Sequence, residues 1–233
     1  MDYHYSQKYY IGYSDVDRNN RLKLSKILDL LQNAATGHSH MIGYGAQRMI
    51  ELGMGWLVLA WKVKILDYPK SDTYVEVRTW SRGTKGIRAY RDLEILDENG
   101  KTLILASSHW VLYNLIEKKL MKMLPEMQEG YGALEREALD TPIAKSLEEI
   151  TEGVKQEIVI GKRDLDTNGH VNNARYADFI LEVLPDDFVV NEFEIHYKKQ
   201  TMYGEKLTVI FDGTTCVMKN EEGETKIIAK INK

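Results

Sequence analysis

Side chains suited to a buried helix face recur every three or four positions at Ile27, Leu31, Ala34, His38 and Met41, and again at Ala174, Ala177, Leu181 and Leu184. That spacing predicts one long helix in each half of the chain. Strict alternation marks strands: Trp61-Lys62-Val63-Lys64-Ile65 matches Phe193-Glu194-Ile195-His196-Tyr197 at an offset of 132, and Val75-Glu76-Val77 then matches Leu207-Thr208-Val209. Turn signals fall at Asp97-Glu98-Asn99-Gly100 and Asn220-Glu221-Glu222-Gly223. Just before each helix stands one eight-residue pattern. Asp15-Val16-Asp17-Arg18-Asn19-Asn20-Arg21-Leu22 lines up with Asp164-Leu165-Asp166-Thr167-Asn168-Gly169-His170-Val171 at an offset of 149. The drop from 149 to 132 means that 17 residues, around Gly43 to Gly55, occur between helix and strand in the first half only. The chain therefore reads as a diverged duplication of loop, long helix and several antiparallel strands, an α+β architecture. Between the copies, roughly from Leu115 to Glu152, alternation stops and Pro125, Gly130, Gly132 and Pro142 mark a linker with short helical pieces.

Composition narrows the function more than the fold. The 233 residues, 43% hydrophobic and 28% charged, allow one large domain or two small ones and exclude a low-complexity or fibrous chain. A lone Cys216 rules out a disulfide framework and a thiolate metal cage, and is expected to fill a small space in the core. No apolar run reaches 18 residues and the N-terminus lacks the basic start of a secretory signal, so a cytoplasmic protein without membrane insertion is expected. A net charge of -4 argues against general nucleic-acid binding. No nucleophile elbow, zinc helix, phosphate loop or dinucleotide loop is complete. His38-Ser39-His40 has no third ligand at helical spacing, so neither a metal nor another cofactor is expected.

The run Asp164 to Asn173, followed by Tyr176 and the helix ending Ile180-Leu181-Glu182, resembles the D-L-D-x-N-x-H-V-N-N-x-x-Y signature of the acyl-acyl carrier protein thioesterase family. Thr79-Trp80 and Lys122-Met123-Leu124-Pro125 add to the resemblance, which is to the bacterial type of the family and covers most of the chain. It implies a tandem double hotdog, each half an antiparallel sheet wrapped around one long helix. Residues 1–124 would be an N-terminal hotdog that binds the acyl chain and keeps a degenerate site, 125–152 a linker, and 153–233 a C-terminal hotdog with the catalytic loop. The implied reaction is hydrolysis of the thioester joining a fatty acyl chain to acyl carrier protein, which releases free fatty acid and ends its synthesis. Acyl carrier protein is the implied partner and a homodimer the expected assembly.

Thioester hydrolysis needs an activated water or nucleophile, donors for the oxyanion and an acid for the departing thiolate. Asp166 is the expected base or nucleophile, Asn168 orients water or the carbonyl, and His170 serves as proton shuttle or donor. Backbone N–H groups of Asn172 and Asn173, at a helix entry, suit an oxyanion hole. Asp and Asn also serve turns and caps for purely structural reasons, and the first copy keeps them. What separates the copies is Arg21 against His170, the side chain suited to proton transfer near neutral pH. Family members carry a Glu where this chain has Gln200, often followed by a Cys where it has Thr201; an amide cannot act as a base. Arg78, Arg82, Lys85, Arg88 and Arg91 form an acid-free stretch that could dock an acidic carrier, as could Lys198 and Lys199; Arg82, Lys85, Lys198 and Lys199 are taken as candidates. Met41, Met49 and Met54 are expected in the core, with an acyl tunnel as the alternative use. An acyl-CoA thioesterase and a non-catalytic acyl-binding protein stay open beside the leading reading.

Overall fold

Period-two alternation becomes strand and the three-to-four spacing becomes helix, in the same order twice. The structure, a computed structural model, describes residues 4–233. It divides into two compact units, one of residues up to Lys23 with Asp29–Ile143, the other of Leu24–Leu28 with Ala144–Lys233. The first copy runs β1 (Tyr5–Ile11), α1 (Leu24–Met41), α2 (Ala46–Glu51), β2 (Met54–Ile65), β3 (Thr73–Lys85), β4 (Arg88–Leu96), β5 (Thr102–Asn114), β6 (Lys119–Met121) and α3 (Pro125–Tyr131). The second runs β7 (Val154–Val159), α4 (Arg175–Leu181), β8 (Glu192–Tyr197), β9 (Lys206–Phe211), β10 (Thr215–Asn220) and β11 (Thr225–Asn232).

Every strand pair within a copy is antiparallel, in the order β1-β3-β4-β5-β2 in the first and β7-β9-β10-β11-β8 in the second. The two ladders therefore correspond strand for strand. The inward faces carry the core: Trp61, Val63, Trp80, Leu93 and Ile95 in the first copy, and Phe193, Ile195, Val209, Val217 and Ile227 in the second. Cys216 lies fully buried on β10, and burial pushes its thiol up to about 12, so it is inert at neutral pH. The 17 residues peculiar to the first half hold α2. From there Met49 packs with Met54, Leu112, Met123, Met127 and Tyr131, whereas Met41 stays exposed.

The second helix is shorter than its pattern implies. Residues Ala174 to Leu184 carry helical spacing, yet α4 spans seven residues. Pro185 explains the difference: a residue before proline is driven out of the helical region, and the chain closes with short bonds, Val183 N–H to Ile180 O (3.2 Å) and Leu184 N–H to Leu181 O (3.3 Å). The stretch after α3 is not a free linker at its start. Arg136 stacks 4.4 Å over Trp80, accepts the Trp80 Nε1–H on its carbonyl (2.8 Å) and pairs with the buried Glu94 (2.6 Å). Ala138 N–H donates to Asp92 (2.8 Å), so this strap is fastened to β3 and β4.

Candidate active site

The eight-residue pattern folds into the same loop twice, hydrogen bond for hydrogen bond. Asp166 Oδ1 accepts the N–H groups of Asn168 (2.8 Å) and His170 (3.1 Å), and Asp17 Oδ1 accepts those of Asn19 (2.8 Å) and Arg21 (2.9 Å). The carbonyls of Asp166 and Asp17 cap Gly169 and Asn20, which adopt the left-handed conformation at φ +80° and +56°. Asp164 and Asp15 hold the loop from outside, accepting Gly161 N–H (2.8 Å) and Gly12 N–H (3.0 Å). Each loop then docks on a turn at the matching place: Val171 N–H bonds Thr201 O (2.9 Å), and Leu22 N–H bonds Pro69 O (3.0 Å). The carboxylates that the sequence marks as chemical are thus also the staples of the loop, because an Asp two residues before a turn mimics a backbone acceptor.

The imidazole distinguishes the copies. Where Arg21 lies 5.9 Å over the Tyr68 ring, the second copy has His170, part-buried and without a side-chain hydrogen bond among the described residues. Tyr68 matches Gln200 at the strand offset of 132, and a bridge between His170 and Met202 brings the loop beside the 200–202 turn. Asn168 sits exposed at the loop tip with its Nδ2 3.4 Å from Asp166 Oδ2, and Gln200 is exposed as well. Asp166, Asn168, His170 and Gln200 are therefore carried by two adjoining segments of one unit.

Sequence reasoning missed the groups that hold this turn. Lys226, buried on β11, donates to Gln200 O (3.0 Å) and Glu224 Oε2 (2.8 Å) and lies 2.9 Å from Glu205 Oε2. Burial alone would lower its pKa, but Glu224 and Glu205 outweigh that and the net shift is upward, which keeps the ammonium charged. Tyr176 donates to Thr201 Oγ1 (2.8 Å) and Tyr197 to Asn173 O (3.0 Å); burial pushes Tyr176 up to about 12 and Tyr197 higher, so both act as fixed donors. No spacing in the sequence links Lys226 to Gln200, because a β-ladder joins them.

Several expected contacts differ. Asn172 N–H is spent on Asp164 O (2.8 Å) and cannot serve an oxyanion, whereas Asn173 N–H makes no backbone hydrogen bond among the described residues. The basic stretch is not one surface, since alternate residues of a strand point to opposite faces. Arg82 pairs with Asp92 (3.2 Å) and with Glu137, Arg78 pairs with Glu76 (2.9 Å), and Arg91 is buried; Lys85 and Arg88 remain exposed near the Gly86 turn. Lys199 is tied to Glu224, and Lys198 is exposed.

The first copy carries a partly open cavity lined by Ala35, Trp56, Ala89, Arg91, Trp110 and Tyr131, among others. Its wall rests on His38, fully buried, whose Nδ1 lies 2.9 Å from Arg91 Nη1. Burial, then the charges of Arg91 and His4, pull the His38 imidazole down to about 3. It stays neutral when folded and protonates below about 6.5 when unfolded, so it contributes stability above that pH that is lost as pH falls toward 3. Chemical denaturation between pH 7 and 4.5 should show this as about 1.4 kcal/mol per pH unit, absent from His38→Gln; equal slopes would mean that His38 titrates alike in both states.

Comparison with known proteins gives concordant results. The family model described as the acyl-ACP thioesterase N-terminal domain matches residues 2–131, and that of the C-terminal domain matches residues 147–233. Oleoyl-acyl carrier protein thioesterase 1 of Arabidopsis thaliana is 27% identical over 202 residues, 79% of this chain and 56% of that protein, so the chain spans little more than half the length of this curated relative. An acyl-ACP thioesterase from Bacteroides thetaiotaomicron superposes with a TM-score of 0.87 at 22% identity, covering 97% of this chain and 96% of the other. A 12:0-ACP thioesterase from Umbellularia californica superposes with a TM-score of 0.82 at 20% identity, covering 97% and 95%. These likenesses carry the double hotdog fold. With both domain models of one family matched in order along nearly its whole length, the chain belongs to the acyl-ACP thioesterase family.

Proposed function

We propose that this protein hydrolyses the thioester between a fatty acyl chain and acyl carrier protein, with His170 as the group that moves the proton. The observation that carries the reading is the asymmetry of the duplicated loop: the same hydrogen-bonded frame presents Arg21 in one copy and, in the other, an imidazole without a side-chain hydrogen bond among the described residues. His170 takes a proton from water as the water oxygen attacks the thioester carbon, and N–H donors hold the oxyanion; the candidates are the Asn168 amide and Asn173 N–H on the loop and the Gln200 amide on the turn bridged to it. Collapse breaks the C–S bond, and the imidazolium returns its proton to the leaving thiolate. Asp166 acts here as the staple of the loop, since its Oδ1 already accepts two N–H groups. Lys85 and Lys198 are the cations offered to the acidic carrier, while Arg82 and Lys199 are held by their own carboxylates. The exposed edge strand β7, with Val154 and Val159 each 61% exposed, suits pairing with a second copy.

The test is fatty acid release from acyl carrier protein and CoA thioesters of graded length. Faster turnover of CoA substrates would move the assignment to an acyl-CoA thioesterase. Within the same assay, Gln200→Glu should raise kcat about tenfold by restoring a carboxylate beside His170. A fall would mean that the amide itself is the working group.

A further inference from the structure

Arg91 is a guanidinium in the wrong place for a surface docking patch. It is only 8% exposed, and among the described residues no carboxylate lies within ion-pair distance of it. Its Nη1 reaches His38 Nδ1 (2.9 Å) and Thr79 Oγ1 (3.1 Å), and its carbon sits 5.2 Å from the Tyr131 ring centre. Asp92, next in the chain, faces the other way and serves Arg82 and Ala138. A buried cation without a counter-ion is costly unless something else supplies negative charge.

The remaining polar atoms of the cavity point to the same deficit. Trp56 lines it, and its Nε1–H is buried with no acceptor among the described residues. Two hydroxyls of the wall are already committed: Ser39 donates to Ala35 O (3.1 Å), and so Tyr131 must donate to Ser39 (2.6 Å). Behind the wall, His38 Nε2 is also buried without a partner among the described residues, and because Nδ1 accepts from Arg91, Nε2 carries the hydrogen. The rest of the lining is mostly apolar or aromatic, including Ala35, Ala89, Trp110 and Met123, with Thr36 and Ser81 as the other polar residues. The cavity has a volume of about 60 Å³, enough for a small polar group with a few methylenes.

We propose that this cavity binds the carboxylate of an alkyl acid, with Arg91 and Trp56 Nε1–H as its donors and the apolar wall taking the first methylenes. The carboxylate can come from the released fatty acid or from the far end of a dicarboxylic acyl chain still joined to its carrier. The choice of alkyl acids rests on the thioesterase reading; the donor geometry does not.

Calorimetric titration of the full chain with butanoate, hexanoate and octanoate, and with their methyl esters, tests this without turnover. The acids should bind about 10- to 100-fold more tightly than the esters. Arg91→Gln should abolish that difference, and Trp56→Phe, which keeps an aromatic wall and removes one donor, should shrink it several-fold. If Arg91→Gln does not fold, Trp56→Phe decides. Equal affinity of acid and ester, or a preference untouched by the variants, overturns the proposal. Acid binding retained in a chain with no hydrolytic activity leaves this site standing and removes the thioesterase reading instead. Where hydrolysis is found, product inhibition by octanoate relieved in Arg91→Gln assigns the site to released acid. A preference for 7-carboxyheptanoyl over octanoyl thioester that vanishes in that variant assigns it to the distal carboxylate.

Discussion

His170→Ala lowers kcat for thioester hydrolysis by about 10²- to 10⁴-fold, the range for loss of a positioned acid–base group. KM should move much less, because the imidazole acts on the reacting atoms and contributes little to holding the chain. Stability should stay within about 0.5 kcal/mol of the parent, since the bond from His170 N–H to Asp166 survives in alanine and the imidazole makes no side-chain hydrogen bond among the described residues. Arg21→Ala is the matched control: it removes the corresponding side chain from the same frame in the first copy and should leave kcat unchanged. Steady-state rates with matched thermal melts decide the matter. An unchanged rate in His170→Ala would remove the imidazole from the mechanism and return the role to Asp166 Oδ2, the oxygen that accepts no backbone N–H.

How much of this was legible in the sequence depended on whether the determinants are local. The two loops could be read from Asp15 to Leu22 and Asp164 to Val171 because each is built by side chains bonding their own backbone within five residues. Helix α1 and the matched strands followed from periodicity, since a half-buried element writes its buried face into the spacing of its residues. The second helix was overestimated because the apolar spacing runs on to Leu184 while Pro185 stops the backbone earlier. The basic stretch misled for a different reason. Five cations in a row look like one patch, but in strands β3 and β4 they divide between two faces, so Arg91 turns inward to His38 while Arg82 meets Asp92. Nor could Lys226 be assigned to Gln200, or Trp56 to Arg91, because those relations are made by register and packing across elements far apart in the chain.

Trp80→Ala should cost the first unit about 3–5 kcal/mol, the range for deleting a large aromatic from a closed core. The residue is fully buried on β3, so nothing can relax into the space cheaply. Its loss also unfastens the strap. The Trp80 Nε1–H holds Arg136 O at 2.8 Å and the indole ring lies under the guanidinium, which in turn reaches Glu94 at 2.6 Å. Freed from the ring, Arg136 spends more time away from Glu94, a buried carboxylate that then falls back on the longer ion pair with Arg78 (3.9 Å), and the weakened pairing adds to the cavity cost. For a chain of this size the melting temperature should fall by roughly 6–20 °C. Trp80→Phe separates the two contributions: it keeps a ring beneath Arg136 and loses the N–H, so about 1–2 kcal/mol should disappear with that hydrogen bond and the trimmed volume. If both variants melt together with the parent, Trp80 is not the anchor of the strap, and the hold of residues 132–138 on β3 and β4 must come from Leu134 N–H on Ser81 O (2.9 Å), Ala138 N–H on Asp92 and the Arg82–Glu137 pair.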